Sequence, residues 1–179
     1  MAEFGYKILK ANESDAGEIL RLQYAAYQSE AALYNNYAIQ PLVQTLEQAI
    51  EEYNESLVLK AVLADKIIGS VRASEKQDGV YIGKLMVMPG CQNKGIGKRL
   101  LQAIEERFRG KRFWLFTGGK SEKNIAFYEK SGYTRFKTEN AVSDMAFVYF
   151  EKPHTASVEP DTASAGPETV SAGPDTALS

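Results

Sequence analysis

One cysteine, Cys91, and one histidine, His154, are all that this chain of 179 residues offers of the side chains most used for disulfides, structural zinc and imidazole catalysis. A lone cysteine cannot close an internal disulfide, and no Cys/His cluster exists to hold zinc. His154 stands beyond the last apolar segment, which argues against triads built on histidine. No apolar run approaches the ~18 residues needed to span a bilayer. The N-terminus, MAEFGYKILK, lacks the apolar core of a secretory signal, so a cytoplasmic location away from membranes is the expectation. A large excess of charge of one sign is also missing, the net being −2. Glu159, Asp161, Glu168 and Asp175 lie past residue 152, where there is no Lys or Arg. The remainder therefore sets 21 Lys and Arg against 19 Asp and Glu, 23 less those four. Such a balance gives no bias toward nucleic acid or membrane surfaces.

What is present describes a globular protein, with 11% aromatic and 25% charged residues and a length that suits one domain. We place that domain at residues 1–152. Beyond it, Glu159-Pro-Asp-Thr, Gly166-Pro-Glu-Thr and Gly173-Pro-Asp-Thr recur every seven residues. Proline in each unit and the missing apolar pair exclude a coiled coil. Residues 153–179 are thus read as a disordered tail rich in Pro, Ala, Ser and Thr.

The rest of the chain is organised around Tyr81 to Phe108. Val80 to Met88 reads as a buried strand, with Tyr81, Leu85 and Val87 on one face and Ile82, Met86 and Met88 on the other. From Ile96, apolar positions Ile96, Leu100, Leu101, Ile104 and Phe108 recur at helical spacing. Gln92-Asn93-Lys94-Gly95-Ile96-Gly97 joins the two. A helix start carries unpartnered amides and partial positive charge, and glycines there let a phosphate come close. Lys94, Lys98 and Arg99 add full charges, as a pyrophosphate site needs. It is not a Walker loop, because Ile96-Gly97 stands where Lys and Ser or Thr are required; it is not a dinucleotide fingerprint, because Leu100 replaces the third glycine.

Elsewhere the spacing predicts a first strand at Tyr6–Lys10, a helix at Asp15–Tyr27 capped by Asn12 or Ser14, and a mobile or irregular link over Gln28–Gln40. A helix over Leu42–Tyr53 follows, with hairpin strands Ser56–Ala64 and Ile67–Glu75 joined at Asp65-Lys66. A strand at Arg112–Thr117 can lie parallel to the central one. A helix over Ser121–Ser131 then leads to strands Tyr133–Lys137 and Val142–Glu151.

Leu-x-Val-x-Pro-x-x-Gln-x-x-Gly-x-Gly, from Leu85 to Gly97, resembles the acyl-coenzyme A motif of the GNAT family of N-acetyltransferases. Ser121-Glu-Lys-Asn124-Ile-Ala-Phe-Tyr128-Glu-Lys-Ser-Gly132-Tyr133 resembles the family's second motif. The resemblance implies an α/β (α+β mixed sheet) fold, mostly antiparallel, with one splayed parallel pair and helices on both faces. It implies acetyl-CoA as co-substrate, no metal, and direct transfer of acetyl to a small-molecule or protein amine; a homodimer is left open. Cofactor contacts would fall to Leu85, Met86 and Val87 by unpaired backbone groups, to Gln92 through Lys98 at the turn, and to Ser121, Asn124 and Tyr128. Tyr128 would hydrogen-bond the departing sulfur.

Where some relatives carry a glutamate as general base, this chain has Tyr81 and Phe116. Glu30 and Glu75 could reach an acceptor cleft, but a solvated surface position is the expectation for both. Cys91 is read as an incidental turn thiol. Tyr24, Tyr27, Tyr34, Tyr37 and Arg72 are candidates to line the acceptor side. The missing glutamates also prompt a rival reading, a coenzyme A-binding sensor without turnover; a second rival makes the repeat tail the functional part, docking a partner.

Overall fold

The computed structural model describes residues 5–140 and 145–154; the tail assignment and the start of the last expected strand lie outside them. A seven-stranded sheet in the order β1-β2-β3-β4-β5-β7-β6 forms its centre. The strands are β1 (Lys7–Lys10), β2 (Leu57–Leu63), β3 (Lys66–Lys76), β4 (Gly79–Val87), β5 (Phe113–Gly118), β6 (Thr134–Asn140) and β7 (Ala146–Lys152). Every neighbouring pair is antiparallel except β4 with β5. The helices are α1 (Ala16–Ala26), α2 (Gln28–Tyr34), α3 (Gln40–Val43), α4 (Leu46–Glu55), α5 (Ile96–Arg107) and α6 (Glu122–Lys130).

Two cores lie on opposite faces of the sheet. Ile96, Leu100, Leu101 and Ile104 of α5 pack with Leu59, Ile68, Val80 and Ile82, and Ile125 of α6 joins them with Tyr133 and Phe150. Ile19 and Leu22 of α1 pack with Val58, Ile67 and Met86. The neighbours Val58/Leu59 and Ile67/Ile68 divide between the two, as the two-residue period of a strand requires.

That period breaks within β4, which corrects the expected facing of its residues. Gly83 pairs with Arg72 and Met86 with Ser70, so β4 inserts one extra residue, and Lys84 there takes a left-handed φ of 48°. A bulge exchanges the two faces beyond it. Ile82 consequently joins the α5 core while Met86 joins the α1 core, although alternation alone puts them together.

Three other expectations change. The link at Gln28–Gln40 contains α2, ended by Asn35 in the left-handed region. The helix expected over Leu42–Tyr53 is broken into α3 and α4, because Thr45 accepts from Gln48 N–H while Gln48 answers to Thr45 N–H. A reciprocal cap of this kind starts a new helix and stops the old one. The β2–β3 hairpin turns at Ala64-Asp65, both at positive φ (47° and 63°), one residue before the expected place. This is the twist a two-residue hairpin favours. Before the first helix Asn12, not Ser14, is the capping residue, and it caps a 3-10 turn at Glu13–Asp15 that leads into α1; α1 itself starts at Asp15 without a side-chain cap.

Candidate active site

The parallel pair is joined only at its beginning. Val80 faces Phe113 and Tyr81 faces Trp114, and beyond these the strands have no further ladder between them. β4 nevertheless runs on to Val87 and β5 to Gly118. The edge of β4 toward β5 is therefore open from about Ile82 onward. Val87 stands opposite Gly69 in a non-hydrogen-bonded pair, bracketed by the Met88 N–H to Ile68 C=O bond of 2.8 Å. Its own N–H and C=O consequently turn into the gap, and those of Leu85, two residues earlier, turn the same way. Met86 directs its backbone to β3 and buries its side chain in the α1 core. Of the three strand residues expected to present backbone, then, Leu85 and Val87 do so and Met86 does not. Gln92 donates to the Val87 carbonyl at 3.4 Å and accepts from Lys123 of α6 at 2.7 Å, so it ties the turn to both sides of the gap.

At the end of the gap α5 begins without a cap. Among the described α-helices only α4 carries a side-chain cap, the reciprocal Thr45–Gln48 box, so what sets α5 apart is its glycine and the charge of its first turn. Gly95, the N-cap of α5, has no side chain to offer, and the first turn holds no acid. It holds Lys98 and Arg99 instead, both exposed. Cations at the positive end of a helix are unfavourable by themselves, and an anion at that point would satisfy the amides and both charges. The backbone is shaped for such an approach. Asn93 (φ 61°) and Gly95 (φ 77°) are left-handed, and a Cβ built on Gly95 would meet nothing within 4 Å. Asn93, Lys94 and Gly95 are exposed, whereas Ile96 anchors the turn in the core at 1% exposure.

On the other side of the gap, α6 aligns Ser121, Asn124 and Tyr128. Ser121 is buried and Asn124 half-buried. Asn124 Nδ2 donates to Thr117 Oγ1 at 3.4 Å. The Tyr128 ring packs edge-on to Phe127 and against Tyr133 and Phe150. Its hydroxyl makes no hydrogen bond to a described residue and is not sealed from solvent-accessible space. Burial raises its pKa above the ordinary tyrosine value, and Tyr27, Tyr81 and the Glu30 carboxylate push the same way. Tyr128 is therefore a neutral phenol, a donor without a partner.

The acceptor side is aromatic. Tyr81 stacks on Phe116 with ring centroids 5.9 Å apart and lies 4.6 Å from Trp114. Phe116 continues to Phe147 and Tyr149. Burial raises the Tyr27 pKa, with Tyr81 and Glu30 adding to the effect and Arg72 opposing it. Tyr34 packs on Gly118, and Tyr24 donates to Gln44 C=O at 2.5 Å. Tyr37 is 56% exposed and takes no part. Of the two glutamates, Glu75 is the exposed surface residue expected, paired with Lys111. Glu30 is not: it is half-buried and accepts from Ser121 Oγ at 2.6 Å and Asn124 Nδ2 at 3.0 Å. α2 carries it there, which the reading of residues 28–40 as an irregular link could not anticipate.

A second group that sequence reasoning missed is Lys84, at the bulge. Glu52 accepts from Lys84 and also pairs with Arg72, so one carboxylate serves two cations. Burial, and after it the Arg72 charge, pushes Lys84 down from 10.5 to about 7. Between those two values the unfolded chain binds the proton that the folded protein gives up. This residue's contribution to stability is then least favourable below about pH 7 and improves as pH rises toward 10.5. Denaturant titrations of the parent and Lys84→Met across pH 6.5 to 9 are expected to show the parent gaining on the variant, by at most about 1.4 kcal/mol per pH unit. Parallel pH slopes for the two proteins would remove the assignment.

Among the described residues no group of three or more His, Cys, Asp or Glu is arranged to hold a metal ion, and no helix is long and apolar enough to cross a membrane. No curated protein matches the chain in sequence. Solved structures of the same fold include PaiA N-acetyltransferase from Thermoplasma acidophilum in complex with coenzyme A, 18% identical, with 84% of this chain and 99% of that one covered at a TM-score of 0.67. Another is yncA from Salmonella typhimurium with its cofactor acetyl-CoA, 16% identical, with 88% and 99% covered at 0.69. The ribosomal-protein-S18-alanine N-acetyltransferase from Escherichia coli is 16% identical, with 87% and 98% covered at 0.66. A family model described as acetyltransferase (GNAT) family matches residues 18–133. That span runs from α1 through the open strand pair, the uncapped helix and the Tyr128 helix, and the chain belongs to the GNAT family of acetyltransferases.

Proposed function

We propose that the protein transfers an acetyl group from acetyl-CoA to a primary amine of a small molecule or a protein, both reactants being bound together. The observation that carries this reading is the open edge of β4 leading directly to a helix start that lacks both cap and acid. The residues fit the co-substrate. Amides at Gly95 through Lys98 would receive the diphosphate, with Lys98 and Arg99 supplying counter-charge. The backbone of Leu85 and Val87 would run beside the pantetheine arm and its acyl carbonyl. The thioester supplies an activated acetyl carbonyl and a thiolate leaving group.

Tyr128 stands across the gap as the donor to the sulfur. A reference tyrosine near 10 is already a weaker acid than a thiol near 8.5, by ~2 kcal/mol. The environment raises Tyr128 further, so it stabilises the thiolate by hydrogen bonding and does not hand over its proton. Trp114, Tyr81 and Phe116 give the acceptor an aromatic wall. The S18-alanine enzyme of the same fold acts on a protein amine, which keeps proteins among the candidate acceptors. The test is thiol release from acetyl-CoA across a panel of amines and N-terminal peptides. Cofactor binding with no turnover of any amine would replace this reading with a coenzyme A-binding module.

A further inference from the structure

Three contacts fasten α2 to the segment where β5 passes into α6. Tyr34 OH accepts from the Lys120 N–H at 3.0 Å, the Lys120 ammonium lies 5.3 Å from the Tyr34 ring centre, and the ring sits where any side chain on Gly118 would collide. Glu30 is one turn earlier on the same face of the helix, so fixing Tyr34 fixes it as well. Both of its hydrogen bonds, from Ser121 Oγ and Asn124 Nδ2, fall on the single oxygen Oε1. Oε2 has no hydrogen-bond or ion-pair partner among the described residues. Ser121 is 3% exposed, so its hydroxyl is held rigidly against Oε1. A half-buried carboxylate aimed by two neutral donors, with its other oxygen open and no ion-pair partner among the described residues, is arranged to receive a positive group from outside.

We propose that Glu30 is the anchor for the acceptor's ammonium, an inference that rests on the acetyl-transfer reading and names the half of the site that reading leaves undefined. The acceptor is a cationic primary amine. It enters between α2 and the open edge of β4, donates to Oε2, and lays its carbon chain along Tyr27, Tyr81 and Phe116, whose faces tolerate a cation. The amine must lose a proton before it can attack. When that N–H bond breaks, the proton passes to Oε2 and the electron pair stays on nitrogen. On β4 and β5 the stacked rings of Tyr81 and Phe116 offer no carboxylate, and the one held by Ser121 and Asn124 comes from α2.

Glu30→Gln keeps the shape and still accepts from Ser121 and Asn124, but can neither balance an ammonium nor take its proton. With methylamine, phenethylamine and alaninamide as acceptors, kcat/KM at pH 7 is expected to fall about 100-fold, while the acetyl-CoA dissociation constant stays within about twofold. The deficit should shrink as pH rises past each amine's own pKa, because a neutral amine needs neither service. A deficit independent of pH, or a matching loss of acetyl-CoA affinity, shows that Glu30 only holds α2 in place and overturns the inference.

Binding without turnover separates this from the activity itself. NMR titration of phenethylammonium into the CoA-saturated protein and into the protein alone should give at least tenfold weaker binding for Glu30→Gln. If the parent acetylates nothing yet shows that difference, the anchor stands and the transferase reading fails. Equal binding by parent and variant, or none by the parent, removes the anchor.

Discussion

Gly95→Glu is expected to weaken acetyl-CoA binding by about 1,000-fold, roughly 4 kcal/mol, with little loss of folding stability. Two costs to the ligand combine: charge-assisted hydrogen bonds from the first α5 amides, each worth about 1.5–3 kcal/mol, and repulsion between a new carboxylate and the diphosphate. The folded protein itself is affected in opposite directions. A non-glycine residue at φ 77° is strained by about 1 kcal/mol, while an acid at a helix N-terminus returns about 0.5 kcal/mol. Gly95→Ala separates strain from charge, because its Cβ would meet nothing within 4 Å; it should weaken binding only a few-fold. Titration calorimetry with acetyl-CoA reads both variants, and the affinity of the parent should fall with added salt as a phosphate site requires. If the glutamate variant binds as the parent does, the diphosphate does not lie at α5 and the cofactor reading is lost.

Tyr128→Phe is expected to lower kcat by about 100- to 1,000-fold, the range seen when one preorganised donor to developing negative charge is removed. Acetyl-CoA affinity should change by no more than a few-fold. The variant is clean for a structural reason. The ring contacts with Phe127, Tyr133 and Phe150 survive, and the hydroxyl leaves no protein group orphaned because it bonds to no described residue. Thermal stability should therefore match the parent. Because the Tyr128 pKa lies above its ordinary value, ionisation of this hydroxyl should also not depress the parent's rate through the pH range where free tyrosine titrates. Single-turnover measurements with a competent amine would decide it. An undiminished chemical step in Tyr128→Phe places the donor to the sulfur elsewhere.

The two glycines, the glutamine and the strand before them were readable in order, because a strand, a turn and an amphipathic helix are local patterns and the turn's chemistry is carried by adjacent residues. Asn124 and Tyr128 were readable for the same reason, since positions 124 and 128 share a helix face wherever that helix goes. The exchange of Ile82 and Met86 between the two cores was not. One residue at a left-handed φ, Lys84, reverses the parity of everything after it, and lysine has no special preference for that conformation to announce the bulge. The split between α3 and α4 stood nearer the surface of the sequence: Thr45 and Gln48 spell a capping box, but the apolar spacing through Leu42, Leu46 and Ala49 masked it.

Glu30 shows the boundary most clearly. It is 91 residues from Ser121 and 94 from Asn124, the groups that aim it, and in the sequence it sits in a stretch that reads as an irregular link. By itself the sequence determined the order of the seven strands and of α1, α5 and α6, the glycine start of α5 and the family to which these belong, because each depends on residues a few places apart. Only the tertiary structure decided how far β4 and β5 stay paired, which backbone groups face the gap and which carboxylate is held over it. Those depend on sheet divergence and on a helix packed from another part of the chain, and no local pattern encodes the distance between them.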